Sequence, residues 1–299
     1  MVFFKRILLF FIVNTVVLFT ITLLVQLLGL ERLFGNDMQA LFAICLIYGM
    51  LGSLISLLLS KRMVKWMMRI HTIDPQKCTP AERRLFEMTR QLSQKAGLST
   101  MPEIGIFKSV EINAFATGPS KNKSLVAVSS ALLEKLDDKK VEAILGHEMA
   151  HIVNGDMVTL SLIQGVINAF VMFFARVLAF VVSNALLSKG KERSGGGHFF
   201  MQYFLIQVFQ IIFGLLGFLV VALFSRWREY RADRHGAFLT SKGQMIEALE
   251  SLKLNVYDKT LNKEALNAFK IDHQSKWLAI FSTHPTLDKR IKALRALHE

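Results

Sequence analysis

Asp137-Asp138-Lys139-Lys140-Val141-Glu142-Ala143-Ile144-Leu145-Gly146-His147-Glu148-Met149-Ala150-His151-Ile152-Val153-Asn154-Gly155 is the stretch on which the reading of this chain turns. An aspartate opens it and a glycine closes it, the ordinary start and stop of a helix. Val141, Ile144 and Leu145 give it an amphipathic flank. Within it, His147 and His151 stand four residues apart, so both imidazoles project from one face and reach one metal ion. Glu148 points to the adjacent sector, where a carboxylate can take a proton from an activated water and pass it to a leaving amine. Zinc suits this donor set, being borderline-soft, tetrahedral and able to keep one position open. The three fixed letters arise by chance in on the order of one chain in a hundred of this size. Spacing alone therefore leaves a bland alternative, two helix histidines with no metal, and the helical setting favours the metal.

A catalytic site of this kind needs a third protein ligand. A metzincin continuation would place Gly and His where Asn154 and Met157 stand, which excludes that class. The best candidate is Glu229 in Glu229-Tyr230-Arg231-Ala232-Asp233. Glu229 and Asp233 share a helix face, so one carboxylate can bind metal while the other orients a ligand histidine through its far ring nitrogen. On spacing alone an equal reading is that both acids balance Arg226, Arg228, Arg231 and Arg234. Asp156, Asp233 and His235 are weaker ligand candidates.

Outward from these motifs the chain becomes strongly apolar, with 52% hydrophobic residues gathered into long runs that water would not tolerate. Four runs match the roughly 20 residues needed to cross a bilayer: Ile7–Leu30, Met38–Leu59, Met157–Leu187 and Phe199–Phe224. The first, preceded by Lys5 and Arg6, is too long for a signal-peptide core and reads as a retained anchor. The third holds Gln164, Asn168 and Arg176, so it either spans with these groups facing protein or lies partly at the interface. Net charge is 36 − 23 = +13. The basic residues crowd beside the apolar runs, as in Lys61, Arg62, Lys65 and Arg69, with no interleaved base-stacking aromatics. Membrane-flanking charge explains this better than nucleic acid, which is excluded as a partner. Lysine and arginine placement puts the polar middle and the C-terminus in the cytoplasm, against the pull of Lys189, Lys191 and Arg193. Cys45 and Cys78 form neither a disulfide framework nor a thiolate zinc site.

The polar parts predict an α+β, mainly helical unit. Thr79-Pro80-Ala81-Glu82 reads as a capped helix start, with Gly97 as its stop. Strand-like pieces follow at 103–107, 111–116 and 124–129, and further helices at 225–240, 244–254 and 285–297. The expected organisation is a transmembrane helix pair over 1–60, a first peptidase part over 61–156, a transmembrane hairpin over 157–224 and a second peptidase part over 225–299.

Taken together, the paired N-terminal apolar runs, HEMAH at 147–151, a second apolar pair, ExxxD at 229–233 and Ser282-Thr283-His284-Pro285 resemble the HtpX-type heat-shock membrane metallopeptidases, which are related to the CAAX prenyl endopeptidases. The resemblance covers nearly the whole chain. It implies a gluzincin-type zinc peptidase domain with about four transmembrane helices and one zinc per chain. It implies that His147, His151 and Glu229 hold the metal, that Glu148 is the general base, and that Asp233 steadies a zinc-binding histidine. Asn113, Ala114 and Phe115 resemble the family's substrate-binding edge strand, where an extended peptide can pair. Their bland reading is an ordinary strand ending in a glycine turn. His284 resembles a donor to the reaction's oxyanion, with Arg290 bracing the site; otherwise His284 merely precedes the proline that starts a helix. The partners implied are protein substrates, chiefly membrane or misfolded proteins, and the lipid bilayer of a bacterial inner membrane, in stress-related quality control. An intramembrane zinc protease would bury the histidine motif in an apolar helix, and the polar flanks at 137–142 and 154–156 argue against one. The short body argues against a prenyl-processing enzyme. A membrane scaffold or transporter component with a chance motif is the non-enzymatic alternative.

Overall fold

The structure is a computed structural model and describes residues 38–187, 195–261 and 282–297. The first apolar run and Lys189, Lys191 and Arg193 lie outside the described residues. The chain divides into two compact units, Met1–Ile55 with Ser161–Val221, and Ser56–Leu160 with Ala222–Glu299.

Three described helices are long and apolar enough to cross a membrane: α1 (Met38–Met67), α5 (Asp156–Leu187) and α6 (Gly195–Leu239). In the first unit α1 leaves Ile47, Leu51 and Ile55 about half exposed, as a lipid-facing side chain must be in the absence of lipid. The polar residues of the third run face protein instead. Asn168 and Arg176 are buried, Gln164 donates to the Asn168 side chain at 2.8 Å, and the Arg176 guanidinium donates to the Met172 carbonyl at 3.1 Å. Such pairing lowers the cost of polar groups at membrane depth.

Close packing of α1 on α5 depends on glycine. A Cβ at Gly49 would lie 2.6 Å from the Gly165 carbonyl oxygen and 2.7 Å from the Ala169 nitrogen. The obstacle is backbone, which cannot rotate away. Gly49→Leu is therefore expected to force the helices apart and lower the Tm in detergent, at a cost of about 1–3 kcal/mol or more. Gly214→Leu is the control, because a Cβ there meets nothing within 4 Å among the described residues. Equal melting of the two variants would refute this account of the packing.

The second unit is the mixed part. Its four-stranded sheet has the order β1-β2-β4-β3, with β1 (His71–Thr72), β2 (Glu103–Phe107), β3 (Ala114–Thr117) and β4 (Leu125–Ser129). β2 and β4 run parallel; the outer strands pair antiparallel. Lys61 and Lys65, on the last turns of α1, both reach the Glu103 carboxylate, at 2.9 and 2.5 Å. Helix α2 (Pro80–Lys95) begins with the expected capping box: Glu82 N–H donates to Thr79 Oγ1, and the Glu82 carboxylate accepts from Thr79 N–H. Such a cap is worth about 1 kcal/mol. The short α3 (Ser130–Lys135) is capped by the Ser129 hydroxyl. Helix α4 (Asp138–Asn154) packs between the sheet, α2 and α7 (Lys242–Leu261), and α8 (Leu287–Arg295) closes on α7. The core gathers Leu92, Ile104, Val128, Leu145, Met149 and Met245.

β3 starts three residues later than the periodicity of 111–116 suggests. The Glu111 N–H is spent on the Ser109 hydroxyl and the Asn113 N–H on the Ser129 hydroxyl, so the chain is still turning there.

Candidate metal centre

Helix α4 carries the site because its ends are fixed. The Asp137 side chain accepts from Lys140 N–H at the start. At the finish Gly155 adopts φ 68° and ψ 29°, a left-handed conformation that favours glycine. Between these ends the helix is buried from Ala143 to Ile152. His147 and His151 therefore lie on an interior face, each 8% exposed. Their Nε2 atoms stand 3.2 Å apart.

Glu229 enters from α6 and is 1% exposed. Its Oε1 lies 3.3 Å from His151 Nε2 and its Oε2 3.5 Å from His147 Nε2. Ligand atoms about 2.0–2.1 Å from a tetrahedral zinc would be about 3.3–3.4 Å apart. The three side chains thus have the spacing of a zinc ligand set, and they are the metal-ligating cluster found among the described residues.

Proton placement strengthens that fit. His147 Nδ1 lies 2.9 Å from Asp233 Oδ1, and His151 Nδ1 lies 2.7 Å from Asp156 Oδ2. Carboxylates accept, so each imidazole carries its proton on Nδ1 and turns an Nε2 lone pair inward. In that tautomer two nitrogen lone pairs and a carboxylate converge, a set of acceptors that a metal cation or an added proton would satisfy. Glu229 Oε1 accordingly has no hydrogen-bond donor among the described residues despite its closeness to His151. Burial disfavours the His147 imidazolium, yet hydrogen bonds to Asp233 and Glu229 outweigh it and its pKa is pushed up to about 9. His151 is raised in the same sense by Asp156 and Glu229 against its own burial. A metal cation answers the same demand without a proton.

Residues 80–298 match the model of peptidase family M48. The chain is also 44% identical to the protease HtpX homolog of Bacillus licheniformis, over 98% of this chain and 99% of that protein. This chain belongs to peptidase family M48. The protease HtpX of Alcanivorax borkumensis is 43% identical over 97% of the M48 chain and 98% of its own length. The crystal structure of S. mikatae Ste24p shares the fold, with a TM-score of 0.56 at 17% identity, covering 92% of the M48 chain and 66% of that one. The M48 chain is a membrane metalloprotease, mainly helical with one small sheet, and its substrates are proteins.

Around the metal cluster the M48 chain brings the other expected residues. Arg290, from α8, grips Asp233 with Nε at 2.7 Å and Nη2 at 2.5 Å, and its Nη1 lies 3.5 Å from Glu229. His284 Nδ1 lies 2.9 Å from Glu229 Oε2, with about half its side chain exposed. Glu148 is buried on α4 beside His147. β3 lies at the sheet edge and packs on α4. Ser129 N–H donates to the Asn113 carbonyl, so the alternation of antiparallel pairing commits Asn113, Phe115 and Thr117 to β4. The N–H and C=O groups of Ala114 and Ala116 are then the ones that face the open edge.

Asp156 and Arg231 are the residues that sequence reasoning undervalued. Asp156 ranked only as a weak ligand, whereas its carboxylate holds a ligand histidine and accepts from Arg231. The available signal was an acid directly after the glycine stop of the histidine helix. Asp233 and His235, the other weaker ligand candidates, are not among the three clustered ligand atoms.

Helices α4 and α6 meet at two glycines. A Cβ at Gly236 would lie 2.9 Å from His147 N and 3.1 Å from its Cα. Gly236→Val is expected to push α6 away from α4, carry Glu229 with it, and lower both the Tm and zinc retention against a chelator. Gly243→Val, whose Cβ meets nothing within 4 Å among the described residues, is the control. Unchanged zinc retention in Gly236→Val would refute the claim that this crossing sets the ligand distance.

Proposed function

We propose that this chain is a zinc-dependent endopeptidase of the bacterial inner membrane, facing the cytoplasm. It hydrolyses peptide bonds of membrane or misfolded proteins in stress-related quality control. The observation that carries the reading is the set of three buried ligand atoms at tetrahedral spacing, with both imidazoles oriented from behind by carboxylates. His147, His151 and Glu229 are the zinc ligands, one ion per chain. When bound, zinc supplies a Lewis acid that polarises the scissile carbonyl and acidifies water.

The chain's own residues do the rest. An extended substrate adds to the open edge of β3 at 113–116, with Ala114 and Ala116 giving it main-chain hydrogen bonds. Glu148 takes a proton from the attacking water and returns it to the departing amine. His284 is the donor to the developing oxyanion, which a ring whose Nδ1 also donates to Glu229 can be only in its doubly protonated form. Asp233 and Arg290 keep His147 in its metal-binding tautomer. Residues 1–60 and 157–224 are the membrane anchors, and 61–156 and 225–299 the two parts of the peptidase. Lys61, Arg62, Lys65 and Arg69 at the end of α1, and Arg226, Arg228, Arg231 and Arg234 on α6, support the cytoplasmic orientation. Close relationship to proteins named HtpX supports the role.

The orientation is tested with Val110, which is 81% exposed in the loop before β3. Val110→Cys, in a Cys78→Ser background, is expected to react with a membrane-impermeant maleimide in inverted vesicles and not in intact spheroplasts. The opposite pattern would place the site outside. Chelation should stop cleavage of an unfolded membrane protein and added zinc restore it; cleavage that ignores chelation would defeat the zinc reading.

A further inference from the structure

We propose that Asp156 and Arg231 act together as the positioning residues of His151, and that zinc is held at full strength only while this pair is formed. The proposal rests on the zinc reading given above and adds Asp156, which follows the HExxH helix, and Arg231, one of the unspecified positions within ExxxD.

Asp156 is fully buried, at 0% exposure. Its Oδ2 lies 2.7 Å from His151 Nδ1, and its Oδ1 accepts from Arg231. Both oxygens are therefore committed, one to each partner. A buried carboxylate oxygen left without a partner is costly, and Arg231 is the partner of the one that His151 does not use. Arg231 therefore fixes the rotation of the carboxylate, whose other oxygen lies against His151 Nδ1 and so turns Nε2 toward Glu229. The guanidinium is itself confined, with its carbon 4.8 Å from the Trp227 ring centroid. A cation over an aromatic face is attracted there.

The backbone explains why these two residues meet. Gly155 ends α4 in the left-handed region, and Asp156 opens α5 within hydrogen-bond reach of the histidine that precedes it by five positions. Arg231 lies two residues beyond Glu229 on α6. One short segment of α6 therefore serves the metal twice, directly through Glu229 and indirectly through Arg231 and Asp156. The arrangement repeats on the other ligand, where Asp233 holds His147 and Arg290 holds Asp233. Each imidazole has its own carboxylate and its own guanidinium.

The alternative is that Asp156 and Arg231 merely staple the start of α5 to α6. The full-length protein, purified in detergent and stripped of metal, separates the two. Zinc Kd is measured by competition with a chromogenic chelator for wild type, Asp156→Asn, Arg231→Met, Arg231→Lys and His147→Ala. The Tm of each metal-free form and the visible bands of each cobalt-loaded form are recorded alongside. Asp156→Asn and Arg231→Met are expected to weaken zinc binding by roughly ten- to a hundredfold. Arg231→Lys, which keeps the charge, should recover most of the loss. The cobalt bands of Asp156→Asn should shift or lose intensity. A staple alone would lower the metal-free Tm and leave zinc Kd within about twofold of wild type, and that result overturns the proposal. If Asp156→Asn does not fold, the two Arg231 variants decide by the same Kd. Wild type that takes up no zinc, or His147→Ala that binds it as wild type does, would sink the zinc reading and this inference with it. Tight zinc in wild type, lost in His147→Ala but kept in Asp156→Asn, would sink this inference alone.

Discussion

Glu148→Gln is expected to stop peptide hydrolysis while zinc stays bound. Glutamine keeps the shape of the side chain on α4 and leaves His147, His151 and Glu229 with their separations of 3.2 to 3.5 Å. What it loses is a base. Nothing in the metal cluster can replace it, because each imidazole's Nδ1 is held by a carboxylate and each Nε2 faces the metal position. General-base catalysis is worth about 10²–10⁴ in rate, or about 3–5 kcal/mol of barrier. Casein and an unfolded membrane protein serve as substrates, with zinc per chain measured on the same samples. Cleavage at the wild-type rate would remove Glu148 from the mechanism, and loss of zinc would make it a ligand instead.

The second large effect belongs to Glu229→Ala, which should empty the site. Two imidazoles alone make a poor tetrahedral set, and Glu229 brings the only carboxylate among the three ligand atoms. Alterations behind the ligands typically cost ten- to about a hundredfold in metal affinity, so removal of a ligand should exceed about a hundredfold. Glu229→Gln, which keeps an oxygen but not the charge, should fall between. The measurement is zinc Kd by chelator competition, with circular dichroism to show that the helices persist. Stoichiometric, tightly held zinc in Glu229→Ala would assign the third ligand elsewhere, and Asp233 would be the next to examine.

The parts of this molecule that can be read from sequence are those whose cause is local. Thr79 with Glu82 announces α2, and Asp137 with Gly155 brackets α4, because a cap is a contract between residues three or four apart. The apolar runs are legible for the same reason: bilayer thickness fixes a length that can be counted along the chain. The helix after the fourth run continues unbroken through Glu229 to Leu239, as the pattern at 225–240 indicates. Two elements escaped. β1 is only two residues, and its existence depends on pairing with β2 more than 30 positions away. α3 follows β4 with no interval, and Ser129 serves both as the last strand residue and as the cap, so no break appears in the sequence.

The site divides along the same line. His147, Glu148 and His151 are visible because helix geometry turns spacing into a shared face. Glu229 and Asp233 are visible as a pair, but their partner is not: nothing in 229–233 says that an α4 histidine lies 2.9 Å away rather than an arginine on α6. Asp156 bonds a histidine five residues away and an arginine 75 positions along the chain. The second contact occupies the oxygen that the histidine leaves open, and sequence does not record it.

The separation of the metal cluster into two halves has a consequence for synthesis. His147 and His151 leave the ribosome well before Glu229, and the two membrane helices α5 and α6 are made in between. If His147, His151 and Glu229 hold the metal as proposed, a nascent chain with its histidine helix already formed is still one ligand short, and Asp156 still lacks Arg231. On the zinc reading proposed above, the ligand set is therefore complete only once the long apolar helix α5 and most of α6 have been made.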